Sequence, residues 1–98
     1  MESLDDMYRS AIRVPVTVCA DGFTVSIQAS AYTYCTPRNS IGPYTHVELD
    51  FPSERPPDYI MEFAENAKNP METVYGWVPV PLMEKMLWEH GGRITLSL

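Results

Sequence analysis

The sequence predicts an α+β domain: a three-stranded antiparallel meander followed by α-β-α-β, giving one mostly antiparallel sheet with two short helices packed on it. Three observations lead there. Apolar and polar residues alternate through 14–31 and again through 44–51, the period of half-buried strands. Turn residues separate those runs, first Asp21-Gly22 and then the stretch "TPRNSIGP" at 36–43. Beyond Asp58 the apolar spacing changes to three and four residues, which is helical.

Each element follows in order. Residues 1–11 are polar and read as a flexible N-terminal arm, leaving 12–98 as a single domain. In the first strand Val14, Val16 and Val18 form the apolar face, and Pro15 marks an edge strand or a bulge near its start. Asp21-Gly22 suits a tight hairpin turn with positive φ. Val25, Ile27, Ala29 and Ala31 continue the apolar face on the return strand, with Tyr32 and Tyr34 at its far end on the polar side. After the loop, Val47, Leu49 and Phe51 face inward, while Tyr44, His46, Glu48 and Asp50 take the wet face.

Asp58 caps a helix whose inner side is Ile60, Phe63, Ala64 and Ala67, and Asn69-Pro70 stops it. The phrase "TVYGWVPV" is a fourth strand ending near Pro79. A second helix follows, with Pro81 in its first turn, Gly91 at its C-terminal cap and Leu82, Met83, Met86 and Leu87 as its core face. Residues 93–98, with Ile94, Leu96 and Leu98 alternating, make a fifth strand.

Composition narrows the function. At 98 residues the chain holds one core and buries only about 60–65% of its unfolded surface, so stability is modest. Cys19 and Cys35 make no CxxC pair and read as free thiols of a reducing cytoplasm. The opening stretch "MESLDDMYRSAIRV" lacks the apolar core of a secretory signal, and no run is long enough to span a membrane. The formal net charge is −6, and residues 48–72 contribute −5 of it. There Glu48, Asp50, Glu54, Asp58, Glu62, Glu65 and Glu72 face only Arg55 and Lys68. Such a segment argues against direct binding to nucleic acid, whose phosphates need lysine and arginine clusters. It favours a partner with a basic surface, although solubility alone would explain it as well.

Candidate chemistry is sparse. Cys19, Cys35, His46 and His90 lack the short chelating spacings of a zinc site, so no metal and no cofactor is expected. Cys35 and His46 flank one loop and are the only conceivable nucleophile and base, yet no oxyanion-hole pattern accompanies them. Nor do glycine signatures for phosphates, dinucleotides or a serine nucleophile occur. The chain reads as a non-enzyme. Tyr32, Tyr34, Arg38 and Tyr44 cluster around the loop as interface-type residues, against the plainer reading of cross-strand packing. Trp88 falls opposite the core face of its helix, flanked by Glu84, Lys85 and Glu89. It needs cover, either from the N-terminal arm or from another protein, a second copy included.

Taken together, the phrases "VSIQAS", "YCTPR", "GPYTHVELDFPS", "TVYGWVPV" and "HGG" resemble small phage and prophage proteins across residues 22–92. That resemblance implies work in the cytoplasm of an infected bacterium, including anti-defence inhibition of the anti-CRISPR type. It brings no site residues with it. The functional expectation is an inhibitor of a host or defence nucleic-acid-binding complex, its acidic segment 48–72 imitating nucleic acid and Trp88 or the tyrosine loop anchoring it. The alternatives are a self-associating phage assembly protein and, behind it, a small enzyme or ligand-binding domain using Cys35 and His46.

Overall fold

A computed structural model describes the backbone of residues 12–94 and the side chains of residues 16–94. Four strands, β1 (Ile12–Val18), β2 (Thr24–Ala29), β3 (His46–Asp50) and β4 (Val74–Pro79), form one sheet in the order β1-β2-β3-β4, every neighbouring pair antiparallel. Among the described residues two helices, α1 (Asp58–Met61) and α2 (Val80–Glu89), accompany the sheet in an α+β fold. One core joins Val25, Ile27, Val47, Leu49, Tyr75 and Val78 of the sheet to Ile60 of α1 and Met83, Met86 and Leu87 of α2. The predicted inner face of α2 is therefore the observed one, with Leu82 packed against the core at its margin.

The first strand departs from simple alternation. Val14 pairs with Ile27 and Thr17 with Val25, so three steps along β1 match two along β2. Pro15 sits inside this bulge, where its missing N–H interrupts the ladder. One extra residue exchanges the faces. Beyond it Thr17 and Cys19 are buried, whereas Val16 and Val18, expected inside, are 52% and 39% exposed. The Thr17 hydroxyl ends up buried without a hydrogen-bond partner.

Strand β2 also stops earlier than alternation suggests. The Thr33 hydroxyl accepts from the Ser30 amide and the Ser30 hydroxyl from the Tyr32 amide, which turns the backbone away from the sheet. Tyr32 and Tyr34 thus belong to the 30–45 connection rather than to a strand. Thr36-Pro37 and Gly42-Pro43 are cis in that connection. Asn39 Oδ1 accepts from the amides of Ile41 and Gly42, and Tyr44 reaches back to donate to the Asn39 carbonyl. Tyr44, expected on the wet face, is consequently in the core.

Helix α1 is a single turn capped by Pro57; Asp58 lies inside it and pairs with Arg55 instead of capping. The expected continuation to Ala67 fails because Ala64 bridges to Tyr75 and the Glu65 amide donates to the Val74 carbonyl. Pairing with the open edge of β4 satisfies backbone groups that one more helical turn would have satisfied internally. Ala67 is exposed.

Helix α2 ends as expected. The Gly92 amide donates to Leu87 O at 2.8 Å and the Gly91 amide to Trp88 O at 2.9 Å, a Schellman motif with Gly91 at φ +89°. The β1–β2 turn docks on that terminus through Ala20 N to Gly92 O and Asp21 N to His90 O. Asp21 Oδ2 lies 2.7 Å from His90 Nδ1, and the His90 ring stacks on Phe23 at 4.0 Å and 7°. Arg93 makes an isolated bridge to Cys19, and the Ile94 amide donates to Val18 O, so these first two residues of the expected fifth strand lie beside the end of β1. Its remainder, residues 95–98, and the arm of residues 1–11 lie outside the described residues.

Two stability outcomes follow. Thr17→Val, which removes the unpaired hydroxyl at nearly constant volume, should raise the unfolding free energy by about 1 kcal/mol in urea denaturation. Gly91 and Gly92 both have positive φ, but a Cβ at Gly91 would stand 2.9 Å from Ala20 Cβ, whereas at Gly92 it would meet open space. Gly92→Ala should cost about 1–2 kcal/mol for its backbone conformation alone. Gly91→Ala should lower the melting temperature further, because it also pushes the β1–β2 turn off the helix end.

Candidate functional site

The sheet face turned away from α2 carries a polar layer. Glu48 and Asp50 project from β3 beside Gln28 and Ser26 of β2. They are on the predicted face, but that face is not wet: Asp50 is 4% and Glu48 9% exposed. Over Glu48 lies the 30–35 segment, which folds back onto the sheet. The Tyr34 amide donates to Glu48 Oε1 at 3.1 Å, and the Tyr34 carbonyl accepts from the Trp77 amide at 2.9 Å. Gln28 Nε2 donates to Asp50 Oδ2 at 2.8 Å. Burial, then a hydrogen bond and repulsion from Glu48, push the Asp50 carboxyl up to about 7.

Over this layer lies an aromatic groove created by a second bulge. Between the pairs Val47–Val78 and Leu49–Tyr75, strand β4 has one residue too many. Gly76 and Trp77 occupy the bulge, with Trp77 at φ +53°, a left-handed conformation that costs a non-glycine residue about 1–2 kcal/mol. Tyr34 packs so closely on Gly76 that a Cβ there would lie 3.2 Å from Tyr34 Cβ. The Tyr34 ring stacks on Trp77 at 4.8 Å, and the Arg38 guanidinium lies 5.7 Å from the Tyr34 ring centre. Together with Phe63, Glu65, Val74 and Gly76, these two rings line a groove of about 340 Å³.

The residues singled out from sequence separate into four groups. Tyr34, Arg38 and Glu65 assemble at the groove, with Glu48 bonded to the Tyr34 amide and Asp50 buried beside Gln28. Tyr44 is interior, and Tyr32 is 83% exposed in the loop. Glu54, Asp58 and Glu62 are exposed; Glu54 lies 3.9 Å from His90, and Asp58 pairs with Arg55 at 3.0 Å. Trp88 is apart from these: 77% exposed, it borders an apolar hollow of about 290 Å³ with Glu84, Leu87, Gly92 and Arg93.

The acidic segment is therefore not one continuous exposed surface, because its first two acids are interior. Trp77 and Phe63 are groove residues that sequence reasoning missed. A glycine inside the strand phrase "VYGWV" was the available signal, since glycine in a strand marks a bulge.

Catalytic assembly is not seen at Cys35. Its buried thiol donates to Ser30 O and Pro37 O, while His46 Nδ1 meets the Thr45 hydroxyl. Among the described residues, no three His, Cys, Asp or Glu side chains gather as metal ligands, and no helix is long and apolar enough to cross a membrane. What the groove offers is aromatic surface beside negative charge. The chain matches no protein-family model, no curated protein and no solved structure.

The carboxyl pair gives the fold a pH signature. Asp50 ionises near the ordinary value of 3.8 when unfolded and near 7 when folded. Its contribution to stability is thus full below pH 3.8 and lost as the pH rises through about 7. Asp50→Asn retains an acceptor for Gln28 without ionising, so its advantage over wild type should grow between pH 5 and pH 8. Urea midpoints across that range provide the check, and a pH-independent difference would refute the assignment.

Proposed function

We propose that the protein is a non-enzymatic interaction module that binds the basic surface of a host or defence nucleic-acid-binding complex and inhibits it. The observation that carries this reading is the coincidence of the aromatic groove with exposed acids. Glu65 is the charged member of the Tyr34–Trp77–Phe63 lining, and Glu62, Glu65 and Glu72 are exposed in a stretch whose one cation is Lys68. Aromatic rings supply contact area at low entropic cost, and the acids supply steering and register toward a basic partner. With Glu48 and Asp50 interior, imitation of nucleic acid falls to Glu54, Asp58, Glu62, Glu65 and Glu72, and the Arg55 ion pair weakens the share of Asp58. The phage-like phrases of the sequence support a target inside an infected bacterium, and free buried thiols at Cys19 and Cys35 suit a reducing cytoplasm.

A second reading has its own observation. Trp88, exposed at the edge of the apolar hollow on α2, is a surface that a second copy could cover, as an assembly protein would require. Analytical ultracentrifugation of the isolated protein separates the two, because only the assembly reading needs a stable oligomer without a partner.

For the leading reading, the tagged protein is used to capture partners from a bacterial lysate containing active defence complexes. The expected product is one dominant nucleic-acid-binding complex, released by salt and displaced by its own nucleic acid. The pair Glu62→Lys and Glu72→Lys should weaken binding about tenfold at low salt and flatten its salt dependence. Undiminished binding by the folded double variant would rule out charge-led recognition.

A further inference from the structure

The groove specifies more than a basic partner. Trp77, still 48% exposed after stacking on Tyr34, lines it together with Phe63 and the acidic residue Glu65. Trp77 is held there in a left-handed backbone conformation by the bulge and by the hydrogen bond that its backbone N–H donates to Tyr34 O. Such strain persists only where surrounding structure over-determines it, and it concentrates at binding and switch positions. A void of about 340 Å³ is the size of a small ligand site, and it suits one long side chain better than a folded segment.

We propose that this groove receives an arginine side chain of the partner, its guanidinium stacking on Trp77 and forking onto the Glu65 carboxylate. The inference rests on the reading that the partner is a protein with a basic surface, and it names the contact that anchors that surface. Arginine fits better than lysine for geometric reasons. A guanidinium is planar, stacks on a single aromatic face and pairs with a carboxylate through two parallel N–H bonds. An ammonium group has no such plane and gains most where rings surround it on several sides. This groove is open, with Tyr34 and Trp77 stacked on one another rather than facing across it. The same aromatic pair already engages one guanidinium within the chain, because Arg38 lies over the Tyr34 ring.

The test uses Trp88→Phe protein, in which Trp77 is the remaining tryptophan. Three capped tripeptides, with arginine, lysine or citrulline between glycines, are titrated while Trp77 fluorescence and its indole N–H resonance are followed. The arginine peptide should saturate with a Kd of about 1 mM, the scale of a single side-chain contact. The lysine peptide should bind about threefold more weakly, lacking the stack and the fork. Citrulline, which keeps the shape and loses the charge, should not titrate. Glu65→Gln, a substitution at an exposed residue, should weaken the arginine peptide about fivefold while leaving the melting temperature of the free protein unchanged.

Equal titration by arginine and citrulline, or indifference to Glu65→Gln, would overturn the proposal. The two levels fail separately. A captured partner whose binding falls with Glu62→Lys and Glu72→Lys, yet ignores Glu65→Gln, keeps the basic-surface reading and removes the arginine anchor. Saturable arginine binding without any charge-sensitive partner keeps the groove and removes the inhibitor reading.

Discussion

A sheet packed on helices through one face can absorb an extra residue only by exchanging the faces of everything beyond it, and the whole arrangement follows from two such insertions. They sit in the outer strands of the described sheet, one in β1 at Pro15 and one in β4 at Gly76-Trp77. The central pair, β2 and β3, stays in regular register and fixes the core through Val25, Ile27, Val47 and Leu49. The first bulge brings Cys19 inside and turns Val16 and Val18 out. The second leaves Tyr75 and Val78 in the core while pushing Trp77 out on the opposite face, where Tyr34 can lie against it.

That opposite face would ordinarily be water-covered, and its sequence is polar accordingly. The return of the 30–35 segment changes this, lying over Glu48 as a peptide that hydrogen-bonds to both that carboxylate and the bulge, and Asp50 beside it is buried too. Burial first, and then the hydrogen bond with and repulsion from Glu48, push the Asp50 carboxyl up to about 7. A buried polar layer of this kind adds little net stability but penalises registers that would leave its members unpaired. Here it also anchors the 30–35 segment, whose Tyr34 lines the groove. The groove thus depends on residues that do not line it.

On the far side, the β1–β2 turn and the end of α2 hold one another. The Schellman motif leaves the carbonyls of His90 and Gly92 free to accept from Asp21 and Ala20, and Gly91 lets the two backbones meet. His90, one of two histidines considered as a metal ligand or base, instead stacks on Phe23 and pairs with Asp21. The Phe23 amide and then His90 hold the Asp21 carboxyl below its ordinary value, so its contribution is present above pH 3.8 and lost only at lower pH. This window is separate from that of Asp50.

The amino-acid sequence by itself determined the element order, the Asp21-Gly22 turn, β4 ending at Pro79 and the inner face and glycine cap of α2. Those features are written in local periodicity, φ preference and the missing proline N–H, all of which act within a few residues. It also placed Trp88 on an outer surface, and there the structure agrees. Only the tertiary structure decided the ends of β2 and α1, the interior place of Tyr44, Glu48 and Asp50, and the joining of Tyr34, Phe63, Glu65 and Trp77. The helical and strand periods were overruled by contacts they do not encode: β4's open edge for α1 and the Trp77 bulge for Tyr34, while hydrogen bonds inside the 30–45 connection ended β2 and drew Tyr44 in toward the Asn39 carbonyl. A period can say which residues share a face, but whether that face meets water depends on what folds back over it.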